Sequence, residues 1–318
     1  MPLISLHGRM AQFDTLSGNY RANGRPVGAF NPVGARGKVF FVDSNVAGAE
    51  GVSPDTAVAT IDAAINLCTA NQGDTVYVMP GHTEAVTVSS LSCDVGGVTF
   101  IGLGSGAKKP ILTFSATDSR INVTAANCVW QNFRFTAGVG DVVTAVLHAT
   151  AAQNTAYLDI DFFATSTFNF INGYTLGAAN ISDGCRWERN YLVTADTGQL
   201  ALVITAASQR DLKFYDNRVI HAAAAAGLLT GGAADFLGID VRRNFVQTGQ
   251  TDGTVGVLVI TTGTASSGSI VDNDMKTADA TLNVAIPIAS KVYAARNYIA
   301  GADEVGTVIG VGTLFDNL

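Results

Sequence analysis

One short pattern recurs through the C-terminal half of the chain, apolar-x-apolar-x-x-Asn-x-apolar. Its asparagines are Asn190, Asn217, Asn244, Asn273 and Asn297, and successive members differ in number by 27, 27, 29 and 24. Alternation of apolar residues is typical of a β-strand with one buried face. A unit this short cannot bury that face alone, so repeated units stack on one another. The repeat therefore predicts a solenoid of short strands.

The same frame extends towards the N-terminus with an apolar residue in place of Asn. The segments that fit it are Leu158-Ile160-Phe163, Cys128-Trp130-Phe133-Phe135 and Val98-Phe100-Leu103. A repeat of this length suits coils with three short strands joined by three corners. The predicted fold class is all-β, a right-handed, single-stranded parallel β-helix of about eight three-sided coils. In this frame Trp130 and Trp187 face the core.

Stacking brings equivalent residues of successive coils into columns. The asparagines are expected to form a hydrogen-bonded ladder at one corner, where Asn also tolerates a left-handed backbone. The residues just before them alternate in sign along the chain: Arg189, Asp216, Arg243, Asp272 and Arg296. Opposite charges on neighbouring strands attract, so these residues are predicted to form an outward charge ladder.

A helix is predicted over residues 60–71. Thr60 is a good N-cap residue, and Gly73 follows as a stop signal. The apolar face has helical spacing and is formed by Ile61, Ala64, Ile65 and Cys68. An open end of a β-helix exposes unpaired strand edges that favour aggregation. The helix is therefore interpreted as a cap on the first coil.

The chain divides into three predicted parts: an extended arm (1–37), a β-helix domain with its capping helix (38–300), and a C-terminal cap or subunit-contact segment (301–318). The arm is rich in Gly and Pro, which disfavour a long helix or a central strand. Its arginines are Arg9, Arg21, Arg25 and Arg36, and with Asp14 as its one acidic residue it carries +3. Because the whole chain carries −7, the rest carries −10.

Composition narrows the classes of partner. Charged residues make up only 14% of the chain, against about 25% in an ordinary soluble domain, which indicates surface hidden in an oligomer. No uninterrupted apolar stretch of about 20 residues predicts a membrane helix, and the N-terminus lacks the pattern of a secretory signal. The arm has no cluster of basic and aromatic residues, so nucleic acid is not expected. Free thiols are expected for Cys68, Cys93, Cys128 and Cys185.

Residues 38–88 combine a strand containing Val-Asp, a Ser-Pro loop, the capping helix and the sequence GDTVYVMPGHTEAV. This arrangement resembles the first coils of pectate-lyase-like β-helices, and more narrowly the virion-associated β-helix proteins of tailed bacteriophages. The narrower resemblance covers about 50 residues. It implies a homotrimer and one of several roles: capsid decoration or cement protein, head fibre, or tailspike that binds or cleaves host polysaccharide. Fold alone does not choose among these roles.

An enzymatic alternative needs carboxylates. Glycoside hydrolysis uses a pair about 5 Å or about 6.5–9.5 Å apart. Asp159 and Asp161 alternate in sequence and are expected on the outer face of one strand, about 7 Å apart. His82 is a second candidate base, although its turn adjoins the capping helix. The sequence contains no metal motif and no Gly-rich phosphate loop leading into a helix, so no metal and no cofactor are expected.

The favoured interpretation is a non-enzymatic virion protein, assembled in the host cytoplasm. It would be a trimeric capsid decoration, cement or head-spike protein whose arm binds the major capsid protein or another virion protein. The alternatives are a polysaccharide-degrading tailspike, with Asp159 and Asp161 as catalytic residues, and a non-catalytic spike that binds host glycan.

Overall fold

The structure, a computed structural model, describes residues 4–6, 9–14, 19–22, 25–26, 37–46, 48–88, 90–165, 167–193, 201–205, 207–221, 227–248, 256–261, 263–276, 282–285 and 291–300. Three parallel sheets dominate these residues. From Thr75 to Ala285, each coil contributes one strand to each sheet in turn. The predicted parallel β-helix is therefore confirmed.

Sheet 1 contains ten strands, Val39–Val42, Thr75–Val78, Thr99–Gly102, Val129–Gln131, Ala156–Leu158, Arg186–Glu188, Lys213–Tyr215, Ile239–Arg242, Ser267–Val271 and Lys291–Ala295. Sheet 2 contains nine, Thr83–Val86, Ile111–Phe114, Arg134–Ala137, Asp161–Phe163, Tyr191–Val193, Arg218–His221, Phe245–Thr248, Asp274–Lys276 and Tyr298–Ala300. Sheet 3 contains eight, Leu91–Cys93, Ile121–Val123, Asp141–His148, Asn169–Leu176, Ala201–Thr205, Leu229–Gly231, Gly256–Thr261 and Leu282–Ala285. Short 3₁₀ helices lie at Pro54–Thr56 and Gly106–Lys108, and Gln209–Arg210 pairs with Phe236–Leu237 outside these sheets.

Large apolar side chains stack along the axis inside the coils. Trp187 lies directly beside Phe214 in sheet 1, with ring centroids 4.8 Å apart and nearly parallel planes. Trp130 stacks on Phe100 in the same way at 4.3 Å. Both tryptophans are fully buried, as the sequence pattern predicts. The alternation of strand residues therefore separates a continuous aromatic and aliphatic core from a mixed outer surface.

The corner between sheets 1 and 2 differs from the prediction in one respect. The left-handed residue is the one before each asparagine, with φ of 54° at Arg189, 55° at Asp216, 53° at Arg243, 58° at Asp272 and 51° at Arg296. The asparagine itself follows this turn with its side chain directed inwards, and it is buried in every case except Asn297, which is half-buried. The charged residue absorbs the sharp change of direction, and this leaves the Asn amide free to bond along the axis.

The predicted frame is wrong at 158–163. Ile160, not Phe163, occupies the corner position: it is fully buried, and its backbone N–H donates to Asn190 Oδ1 at 3.0 Å. Phe163 lies on the outer surface and is 54% exposed. Leu158 pairs with Glu188 on the outer side of sheet 1, whereas Tyr157 faces the core. Asn190 follows its corner equivalent, Ile160, by 30 positions, whereas Asn217 follows Asn190 by 27, so the frame is shifted by three.

The capping helix is shorter than predicted and spans Ile61–Ile65. Thr60 is its N-cap, and the Thr60 Oγ1 accepts a hydrogen bond from the Ala63 N–H at 3.2 Å. After Ile65 the chain tightens, because the N–H groups of Leu67 and Cys68 bond to carbonyls three residues back. The helix contacts the strands Val39–Val42, Thr75–Val78 and Leu91–Cys93. Its role as the cover of an open end stays a prediction.

Residues 4–26 contain four short strands, 4–6, 9–14, 19–22 and 25–26, paired antiparallel in sequence order. The prediction of an extended arm missed this local pairing, because Gly and Pro disfavour a long helix or a central strand but do not exclude short paired strands. Arg9, Arg21 and Arg25 lie on these strands. Arg36 and the segment 301–318 lie outside the described residues, and attachment through the arm stays a prediction.

Candidate functional site

The asparagines lie in a single buried column at the corner between sheets 1 and 2. Each side-chain amide donates to the Oδ1 of the next asparagine, at 3.0 Å from Asn190 to Asn217 and at 2.9 Å for the pairs that follow through Asn297. Each Nδ2 also donates to a backbone carbonyl of the coil before, as Asn217 does to Trp187 O at 3.0 Å. This saturation of donors and acceptors gives the column a structural role.

The charged residues beside this column form closed pairs on the surface. Arg243 Nε donates to Asp216 at 2.7 Å, and Arg296 Nε donates to Asp272 at 2.7 Å. Hydrogen bonding from these guanidinium groups lowers the pKa of Asp216 and of Asp272. Arg189 pairs in the same direction, with Asp159 of the preceding coil, at 2.8 Å. The ladder therefore begins one coil earlier than its predicted first member.

Asp159 and Asp161 do not lie on one strand, so the predicted strand placement of this pair is wrong. Asp159 is the left-handed corner residue, with φ of 57°, and belongs to the charge ladder. Asp161 begins a strand of sheet 2, where its carboxylate lies 2.9 Å from Lys109 Nζ and 3.9 Å from Arg134 Nη2. Lys109 is almost fully buried and also donates to the Asp159 carbonyl at 2.7 Å. Each carboxylate is thus neutralised by a cation.

His82 connects three elements near the N-terminal end. It is fully buried; its Nδ1 accepts from the Ser44 N–H at 2.9 Å, which leaves the proton on Nε2, 3.2 Å from Glu84 Oε2. The same Glu84 oxygen accepts from the Ile61 N–H at the start of the helix. Both ring nitrogens are therefore engaged, and His82 has a structural role and is not a solvent-accessible base.

An aromatic strip, interrupted by the charged residues Arg218 and Asp274, runs along the outer face of sheet 2. It consists of Phe163, Tyr191, Phe245 and Tyr298, and three of these side chains are prominently exposed, at 54% for Phe163, 41% for Tyr191 and 63% for Tyr298. The guanidinium of Arg218 lies 4.5 Å from the centre of the Phe245 ring. The strip is therefore mixed in character, with aromatic rings and charged groups alternating along it.

A groove of about 290 Å³ lies at one end of the strip. Its walls include Phe163 and Tyr191, beside Arg134, Asp161 and Val193. Aromatic faces next to charged hydrogen-bonding groups suit contact with a sugar ring or with a protein surface. With Asp161 held by Lys109 and Arg134, the groove is better arranged for binding than for proton transfer.

The repeat itself carries a signal for the aromatic strip. The residue immediately after each ladder asparagine begins a strand of sheet 2 and faces outwards, and these residues are Tyr191, Arg218, Phe245, Asp274 and Tyr298. The wrong frame at 158–163 assigned Phe163 to the core, so its exposure on sheet 2 was not predicted.

The described residues contain no group of three or more His, Cys, Asp or Glu side chains able to hold a metal ion. Within the same residues, no helix has both the length and the apolar character that crossing a bilayer requires. Cys68, Cys93, Cys128 and Cys185 are free, and burial raises the pKa of Cys68 and of Cys185 to about 12.

Comparisons with known proteins bear on the fold. No protein-family model matches the sequence, and no curated protein matches it significantly. A solved rhamnogalacturonan lyase matches with a TM-score of 0.50 and 15% sequence identity, over 82% of this chain and 73% of the lyase chain. At that identity the likeness concerns architecture alone. The chain has the right-handed parallel β-helix fold that this lyase also has.

Proposed function

We propose that the protein is a structural, non-enzymatic virion component of a tailed bacteriophage, a trimeric capsid decoration, cement or head-spike protein. The observation that carries this proposal is the use of the candidate catalytic acids in ion pairs. Asp159 pairs with Arg189, and Asp161 pairs with Lys109 and Arg134. The virion is proposed as the location because residues 38–88 resemble the virion-associated β-helix proteins of phages.

Two further features support it. The N-terminal segment carries +3 in a chain of net charge −7, which suits attachment to an acidic shell surface through Arg9, Arg21, Arg25 and Arg36. The aromatic strip on sheet 2 offers a subunit contact exposed rings beside charged groups, and aromatic and Arg side chains are enriched in protein interfaces. The partners in this proposal are two further copies of the chain and the major capsid protein.

Removal of residues 1–36 should abolish capsid binding and leave the β-helix folded, because the sheets begin at Val39. Binding is measured by co-sedimentation with capsids that lack this protein, and oligomeric state by light scattering. A variant with the four arm arginines changed to glutamine keeps the segment's length. It tests whether binding needs the positive charge of the arm or only its presence. Normal decoration by the truncated protein would show that attachment does not use the arm.

A polysaccharide-degrading enzyme is the second candidate. The structural likeness to a rhamnogalacturonan lyase and the groove beside Asp161 favour it. Purified protein is incubated with host capsule and lipopolysaccharide, and we expect no release of oligosaccharide from wild type. Release that is lost in Asp161→Asn but retained in the exposed control Asp141→Asn would establish the enzyme instead. Binding to whole cells without release would favour the glycan-binding spike.

A further inference from the structure

Two cations face each other across neighbouring strands on the outer side of sheet 1. Arg186 and Lys213 are paired in register in the strands Arg186–Glu188 and Lys213–Tyr215, one coil apart. Neighbouring strands lie about 4.8 Å apart, and like charges placed directly opposite are destabilising. Both residues are half-buried. Some compensating negative charge would therefore stabilise this position.

The nearby carboxylates are already engaged. Glu188 lies 3.6 Å from Arg186, and it also pairs closely with Arg189. Asp240 is opposite Lys213 in register, but it accepts hydrogen bonds from Tyr215 at 2.8 Å, from Ser269 at 3.0 Å and from Arg242. Within the described part of the chain, Lys213 has no ion-pair partner. Its ammonium group is available to a ligand.

A shallow, open groove lies beside these two cations. This groove of about 420 Å³ is lined by Val129, Asn154, Ala156 and Gly184, with Arg186, Lys213 and Tyr215 along one side. Gly184 has a left-handed backbone with φ of +74°, and a side chain there would collide with the Asn154 amide. Small residues on successive coils thus leave a depression directly beside the two positive charges.

We propose that this groove binds an oxyanion, a carboxylate or phosphate group, held between the Arg186 guanidinium and the Lys213 ammonium. A guanidinium group can donate hydrogen bonds to two oxygens of such an anion. An ammonium group can donate a further charge-assisted hydrogen bond to one of its oxygens. The groove volume falls in the range of about 300–1,000 Å³ typical of small-ligand sites. The site is separate from the aromatic strip on sheet 2 and goes beyond the proposed structural function.

The test is a calorimetric titration of the full-length protein with glucuronate, inorganic phosphate and glucose. Wild type should bind at least one of the two anions saturably and should not bind the neutral sugar. Loss of a charge-assisted contact in Lys213→Gln should weaken binding by about tenfold or more. Arg186→Gln should weaken it similarly. The matched control Lys291→Gln removes an exposed lysine from the same sheet and should leave affinity unchanged.

The two anions distinguish the natural source of the charge. Tighter binding of glucuronate indicates an acidic sugar, and tighter binding of phosphate indicates a phosphorylated ligand. Circular dichroism and the thermal midpoint establish that each variant is folded. The proposal is overturned if wild type binds neither anion, if glucose binds equally well, or if folded Lys213→Gln and Lys291→Gln have the same affinity as each other.

Discussion

Replacing Asn217 with alanine should lower the free energy of unfolding by roughly 3–5 kcal/mol. The Asn217 Oδ1 accepts hydrogen bonds from the backbone N–H and the side-chain amide of Asn190, both at 3.0 Å. Its Nδ2 donates to Trp187 O and to Asn244 Oδ1. Alanine would remove all four of these bonds, and a buried group left unsatisfied by such a loss costs about 1–3 kcal/mol.

Position within the ladder should change the size of this effect. The Asn190 Oδ1 accepts from the Ile160 backbone N–H but has no side-chain amide above it, because an apolar residue occupies the corner there. Asn190→Ala should therefore cost less than Asn217→Ala. Urea unfolding followed by circular dichroism measures both. The control Asn122→Ala, on a half-buried outward position, should cost about 1 kcal/mol or less. Equal losses in all variants would contradict the ladder's energetic role.

Acidification should destabilise the protein through His148. This residue is fully buried, and burial lowers its pKa from 6.5 to about 3. Its Nδ1 and Nε2 lie 2.7 Å from the hydroxyl oxygens of Ser182 and Tyr157. The ring is thus held neutral in a polar network inside the coil, against the face of Trp187.

The sign follows from proton binding. Below about pH 6.5 the unfolded chain protonates its histidine while the folded chain does not, so acid favours unfolding. The contribution of neutral His148 is fully present above that pH and is lost as pH falls towards 3, by at most about 5 kcal/mol. The surrounding groups do not titrate in this window, because burial raises the pKa of Tyr157, Tyr174 and Cys185.

The measurement is urea unfolding at about pH 7 and about pH 4 for wild type and for His148→Gln. Glutamine keeps a hydrogen-bonding side chain but cannot titrate. Wild type should lose roughly 3 kcal/mol more than the variant between the two pH values. Parallel pH profiles would mean that His148 is protonated in the folded protein or reaches solvent.

The repeat predicted the fold well, because periodic apolar and Asn positions report directly on stacked coils. The same reasoning failed where coil length changed. The longer coil before Asn190 moved Ile160 to the corner and Phe163 to the surface, and no local property of either residue reveals that shift. The helix ends earlier than its apolar spacing predicts. The N–H groups of Leu67 and Cys68 bond to carbonyls three residues back, so the α-helical hydrogen-bond pattern stops although the apolar spacing continues.

Candidate sites depended even more on register. Asp159 and Asp161 are two apart in sequence, which in a continuous strand places them on one face. The left-handed backbone at Asp159 interrupts the strand. The Asp159 carboxylate therefore pairs with Arg189, and the Asp161 carboxylate pairs with Lys109, which lies 50 positions before Asp159 in the chain. Partners this distant in sequence are brought together only by the stacking of coils.

The repeat, the parallel coils, the buried asparagines and the inward tryptophans can be predicted from the amino-acid sequence, because each depends on residue type at a fixed period. The residue that turns each corner, the place where the coil length changes and the pairing of charges become visible only in the folded structure. It also placed the aromatic strip on one outer face and set Arg186 opposite Lys213. Those outcomes depend on register between strands, and register is fixed by the packing of whole coils and not by any short segment.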